Sequence, residues 1–138
     1  MPKKIIIDTD PGIDDAMAIL FAFASSELEV VGLTTIFGNV HTTLATQNAL
    51  RLVEFAGHAH VPVAHGADKP LVIAFDEAPT IVHGSDGLGN THHAPPRGQA
   101  VAQSAAQFIV EQVMTHPGEI TLAPVGPLTN LALALEIG

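Results

Sequence analysis

Short apolar runs alternate along this chain with segments whose apolar residues recur at helical spacing. Lys4 to Asp8 is a short, nearly continuous apolar run, the pattern of a strand buried on both faces of a parallel sheet. Asp10-Pro11-Gly12 breaks it. Ile13, Met17, Leu20 and Phe21 then recur at helical spacing, predicting a helix that ends near Ser25-Ser26. Val30 to Ile36, rich in β-branched residues, predicts a second strand closed by Gly38-Asn39. Thr42 to Phe55 carries Leu44, Ala45, Ala49, Leu52 and Val53 on one helical face, with Arg51 and Glu54 outside it.

The second half continues the alternation less regularly. Val61 to Ala64 predicts a short third strand, and Gly66 to Arg97, broken by Pro70, Pro79, Pro95 and Pro96, predicts short elements in long loops. Gln99 to Met114 reads as a helix with Val101, Ala105, Phe108, Ile109 and Val113 inward. Glu119 to Val125 reads as a fourth strand, and a helix starts over Leu128 to Leu135. The order predicts one α/β domain over residues 1–138: a mostly parallel, Rossmann-like, doubly wound sheet with flanking helices. Ligands of such sheets bind beyond the carboxyl ends of the strands. Three of those ends, Asp8 to Asp15, Gly38-Asn39 and Val125 to Asn130, carry the polar residues of interest.

Composition narrows the classes. The 138 residues hold five Lys plus Arg against 14 Asp plus Glu, a net charge of −9. Phosphate recognition needs clustered Lys and Arg, so no nucleic-acid partner is expected. With no cysteine, disulfides, thiolate metal sites and a cysteine nucleophile are excluded. The N-terminus reaches Asp8 too soon for a signal-peptide core, and Pro124 and Pro127 break the longest apolar run. A cytoplasmic protein with no membrane partner is expected.

Asp8, Asp10, Asp14 and Asp15 fall within eight residues around a Pro-Gly turn at a strand-to-helix junction. One or two such acids serve a helix dipole. Four crowded carboxylates repel one another, and a bound divalent cation removes the conflict; oxygen-only donors suit Ca²⁺ or Mg²⁺. Such a cation can orient a water and lower its pKa, leaving a neighbouring carboxylate to take the proton. Hydrolysis or phosphoryl transfer follows. A strand ending in Asp-x-Asp also opens the haloacid-dehalogenase-type phosphatase motif, but that motif wants Thr or Val where Gly12 stands. A magnesium-dependent phosphatase is therefore the lesser alternative.

Asp8-Thr9-Asp10-Pro11-Gly12-Ile13-Asp14-Asp15-Ala16 resembles the N-terminal signature of the inosine-uridine-preferring nucleoside hydrolases. Thr34 to Val40 followed by Asn48 to Leu52 resembles the family's second strand and helix. Val82-His83-Gly84-Ser85-Asp86-Gly87-Leu88 resembles its active-site loop, and Val125 to Leu131 its later strand-end turn. The resemblance implies a calcium-dependent N-ribohydrolase that cleaves ribonucleosides to base and ribose. By position it implies Asp10 and Asp15 as Ca²⁺ ligands, with the Val125 backbone carbonyl as a third. It makes Asp10 also the general base, Asp14 and Asn39 the ribose-binding residues, and Asp8 a hydrogen-bonding support.

An acid is needed to protonate the leaving base. His83, in the matched loop, is the candidate over His41, His58, His60, His65, His92, His93 and His116. Family members are more than twice as long, so the resemblance implies a fold truncated relative to theirs, lacking a further calcium-binding Asp and much of the base pocket. An oligomer, or a complementing second chain, is expected to cover the open sheet edge. A folded remnant that binds calcium or ribose without turnover is the other alternative.

Overall fold

The computed structural model describes residues 2–38, 40–67 and 95–137. Its elements, in chain order, are β1 (Lys3–Thr9), α1 (Ile13–Ala24), β2 (Leu28–Thr35), α2 (Thr42–Phe55), β3 (Val63–Ala64), α3 (Ala105–Thr115), β4 (Ile120–Pro124) and α4 (Thr129–Ile137). The four strands form one parallel sheet in the order β3-β2-β1-β4. The chain steps outward from β1 to β2 to β3, then returns to lay β4 on the other side of β1. The order reverses between β1 and β4, which is where an open α/β sheet leaves a crevice at its carboxyl end.

Reversal of direction with crossovers of one hand puts helices on opposite faces. Two apolar clusters show it. On one face Ile19 and Ala22 of α1 and Ala49, Leu50, Leu52 and Val53 of α2 pack on Ile7, Val30, Leu33 and Val63. On the other, Ala105, Ala106, Phe108 and Ile109 of α3 and Ala134 of α4 pack on Ile6 and Ala64. Ile6, Ile19 and Leu33 are wholly buried, each worth about 1.5–3 kcal/mol relative to exposure. A register shift between Ile5 and Ile6 pairs Ile5 with Val30 but Ile6 with Gly32. Gly32 is the seat of Phe108: a Cβ there would lie 2.4 Å from the ring.

The strands fall where periodicity puts them, within a residue or two at most ends. Two helices depart from expectation. In α1 the buried residues are Asp15, Ile19 and Ala22; of the four apolar residues read at helical spacing, Leu20 packs against the core, whereas Met17 and Phe21 are 67% and 74% exposed and Ile13 is exposed too. Helix α3 begins at Ala105, not Gln99. Ser104 caps it, accepting from the Gln107 backbone while the Gln107 side chain accepts from the Ser104 backbone N–H. Residues before the cap run past the sheet instead, with the Val101 N–H donating to the Val63 carbonyl at 2.8 Å. Val113, expected inward, is exposed.

No described helix is long and apolar enough to cross a membrane.

Candidate active site

Strand alternation distributes the polar residues at the end of β1. Ile6 faces the α3/α4 layer and Ile7 the α1/α2 layer, so Asp8 returns to the first side and Thr9 to the second. The contacts agree. Asp8, 1% exposed, stands opposite Thr34 in the ladder. Its Oδ1 accepts from the Thr34 hydroxyl at 2.5 Å and from Asn130 Nδ2 of α4 at 2.8 Å. Oδ2 is buried with no hydrogen-bond partner among the described residues. Burial pushes the Asp8 carboxyl above its ordinary pKa, and the bonds from Asn130 and Thr34 partly oppose that rise.

On the other side, the Thr9 hydroxyl donates to Asp15 Oδ2 at 2.9 Å, and the Asp10 backbone N–H reaches the same oxygen at 3.3 Å. Asp15 sits in the first turn of α1, yet these bonds run backward to β1. They tie the helix start to the strand end and draw the buried Asp15 beside Asp10. Asn48, fully buried on α2, steadies the intervening turn through Nδ2 to the Pro11 carbonyl and accepts from Arg51.

Asp10, 4% exposed, lies in a cradle made by two glycines. Gly38 follows β2 with φ +150°, a conformation that side chains rarely adopt, and a Cβ there would lie 1.9 Å from Asp10 Oδ2. Gly126 follows β4, and a Cβ on it would lie 2.8 Å from Asp10 Oδ1. Val125 precedes it, half exposed, its N–H donating to the Asp8 carbonyl at 2.8 Å. The carboxylates of Asp10 and Asp15 and the main chain of Val125 therefore meet where β1 and β4 end, at the reversal of strand order.

This donor set is oxygen only and carries at least two acids, which fits a hard cation such as Ca²⁺. It is not a self-sufficient cage, since no group of three or more His, Cys, Asp or Glu suited to a metal is found among the described residues. The four acids do not converge as one cluster: Asp8 is engaged by Thr34 and Asn130, and Asp14 is exposed. Asn39 and His83 lie outside the described residues. The roles of Thr9, Thr34 and Asn130 escape sequence reasoning, although the strand register that pairs Asp8 with Thr34 is a signal that could have found one of them.

A groove of about 1210 Å³ between α1, α2 and residues 95–101 lacks these carboxylates.

This α/β fold has solved counterparts among nucleoside hydrolases. A plant nucleoside hydrolase superposes with a TM-score of 0.96 at 50% identity, over 100% of this chain and 44% of that one. The chain belongs to the inosine-uridine preferring nucleoside hydrolase family, whose model matches residues 5–138. It is 57% identical over 136 residues to probable uridine nucleosidase 2 of Arabidopsis thaliana, covering 98% of this chain and 42% of the relative. It is 44% identical over 139 residues to the inosine-uridine preferring nucleoside hydrolase of Leishmania major, covering 99% and 44%. The chain thus spans about two fifths of the length of the curated relatives it matches.

Proposed function

We propose that the chain serves calcium-dependent hydrolysis of the N-glycosidic bond of ribonucleosides, giving free base and ribose. The observation that carries this reading is the Asp10 carboxylate, buried beside Asp15 at the β1/β4 reversal and enclosed by Gly38 and Gly126. Family membership supports the reaction class.

Asp10, Asp15 and the Val125 carbonyl would hold the cation. When bound, Ca²⁺ would grip ribose hydroxyls and acidify a water. Asp10 takes the proton from the attacking water. The carboxylates oppose the positive charge that develops on the sugar as the glycosidic bond breaks, by analogy with O-glycoside hydrolysis. Asp14 and Asn39 bind ribose hydroxyls, and His83 delivers a proton to the leaving base.

A second reading has one observation in its favour. Two carboxylates and a carbonyl fall short of the six to eight oxygens that calcium takes, and the described residues offer no acidic or histidine triad to complete the set. On that reading the chain binds calcium or ribose weakly without turnover. A second chain, a further copy or a complementing one, would supply more. The position of β4 at the edge of the sheet among the described residues and the exposed Leu128, Leu135 and Ile137 support such pairing.

Release of reducing sugar from inosine and uridine, measured with calcium and with chelator, separates the readings. Calcium-dependent release abolished by Asp10→Ala supports catalysis. No release from folded protein that still binds calcium supports the second reading.

A further inference from the structure

Asn130 makes three hydrogen bonds to three separate parts of the sheet's carboxyl end, and it is 1% exposed. Its Nδ2 donates to Asp8 Oδ1 of β1 at 2.8 Å and to the Thr35 carbonyl of β2 at 2.7 Å. Its Oδ1 accepts the Ala67 N–H, just past β3, at 2.9 Å. Only a primary amide offers two donor hydrogens and an acceptor on a side chain this short. Leu has similar bulk and none of these groups; Asp keeps the acceptors but has no donor when ionised.

The surroundings are built to the amide. Gly66 passes so close that a Cβ would lie 1.9 Å from the Thr35 carbonyl oxygen and 2.4 Å from Asn130 Nδ2. The Gly66 N–H donates to the Thr35 hydroxyl at 3.3 Å. Asn130 itself lies on the first turn of α4, four residues beyond the Gly126 that confines Asp10.

We propose that Asn130 is a positioning residue that locks the ends of β1, β2 and β3 to the β4–α4 turn, and so sets the placement of Asp10 without touching it. The route is short. Asn130 holds the Asp8 side chain, the Asp8 carbonyl accepts the Val125 N–H, and Asp10 lies two residues beyond Asp8 against Gly126. The consequence for calcium rests on the proposed function, because outer partners of metal ligands typically change affinity by about 10–100-fold. The mechanical part does not.

The test is backbone amide exchange in the 138-residue chain, with calcium affinity measured in parallel. Asn130→Leu should speed exchange about tenfold or more at Ala67, which it contacts, and also at Val125 and Asp10, which it does not. Calcium affinity should fall by about 10–100-fold. Asn130→Asp should keep Ala67 protected through its remaining acceptor but lose protection at Val125 and Asp10. Adding Asp8→Asn to Asn130→Asp returns a donor to that contact and should recover part of it.

Should Asn130→Leu fail to fold, Gly66→Ala opens the same junction from the other side and should give the same pattern. Native exchange at Val125 and Asp10 in a folded Asn130→Leu or Gly66→Ala chain would overturn the proposal, reducing Asn130 to local packing. A wild-type chain that binds no calcium counts against the proposed function instead, while the exchange pattern still decides the role of Asn130.

Discussion

Gly126→Ala probes the Asp10 cradle with one methyl group. The added Cβ would stand 2.8 Å from Asp10 Oδ1 and 2.9 Å from Ile36 Cγ2. Carbon pairs are comfortable at about 3.5–4.0 Å, so the overlap with Ile36 is roughly 0.6 Å or more. Ile36 is wholly buried and has little room to retreat, so the carboxylate of Asp10 is the group that must turn. Overpacking of this kind costs about 1–3 kcal/mol. A displaced ligand also binds its cation less well, and we expect about a tenfold loss of calcium affinity, equivalent to roughly 1.4 kcal/mol. Calorimetric titration with calcium reads the affinity, and thermal melting with and without calcium reads the stability. Gly57→Ala is the control, since Gly57 has φ +77° and open space around its missing Cβ. It should cost stability through its backbone alone and leave calcium affinity unchanged. A folded Gly126→Ala chain with native affinity would falsify the assignment of Asp10 as a ligand. Equal losses of affinity in both variants would show that the titration reports only general stability.

Three further outcomes are expected. Asp15→Asn keeps an oxygen for the Thr9 hydroxyl but removes a charge from the donor set, so the fold should persist by circular dichroism while calcium affinity drops about tenfold or more; unchanged affinity would exclude Asp15. Gly32→Ala drives a methyl into the Phe108 ring, a side chain 3% exposed, and urea unfolding should show a loss of about 1–3 kcal/mol with little effect on calcium binding. Glu54 accepts the Arg97 and Gly98 backbone N–H groups, and those bonds hold its carboxyl below the usual range. A depressed carboxyl contributes stability above its unfolded pKa and loses it as pH falls through the folded value. The Arg97 and Gly98 amide resonances should therefore titrate with a midpoint below the ordinary Glu range, and Glu54→Gln should abolish that titration.

The sheet was legible because its strands are short apolar runs bounded by Pro, Gly and Asn, and such breaks survive any tertiary context. The expectation of a candidate site at the strand ends followed from the same breaks. What escaped was every contact made across a large sequence distance. Asp8 and Asn130 are 122 positions apart, and no local pattern links a carboxylate in one strand to an amide in the last helix. Asp8 and Thr34 were closer to hand: once β1 and β2 are taken as parallel neighbours, register pairs them. That register carries a shift between Ile5 and Ile6, which periodicity does not announce.

Helix α1 shows why a correctly placed element can still be read with the wrong face inward. Its sequence, Ile13 to Ala24, is apolar almost all round, apart from Asp14 and Asp15. Burial energy then discriminates weakly between rotations of the helix. Ile13, Met17 and Phe21 form an apolar stripe as regular as the one that is buried, yet they are exposed. The deciding contacts are polar. Asp15 accepts from the Thr9 hydroxyl and the Asp10 N–H, and once Asp15 faces the strand end, Ile19 and Ala22 follow it inward at helical spacing. The carboxylate proposed to bind the cation is thus the residue that sets the rotation of the helix. Its removal by Asp15→Leu, unlike the conservative Asp15→Asn, is expected to loosen the packing of α1 as well as the site.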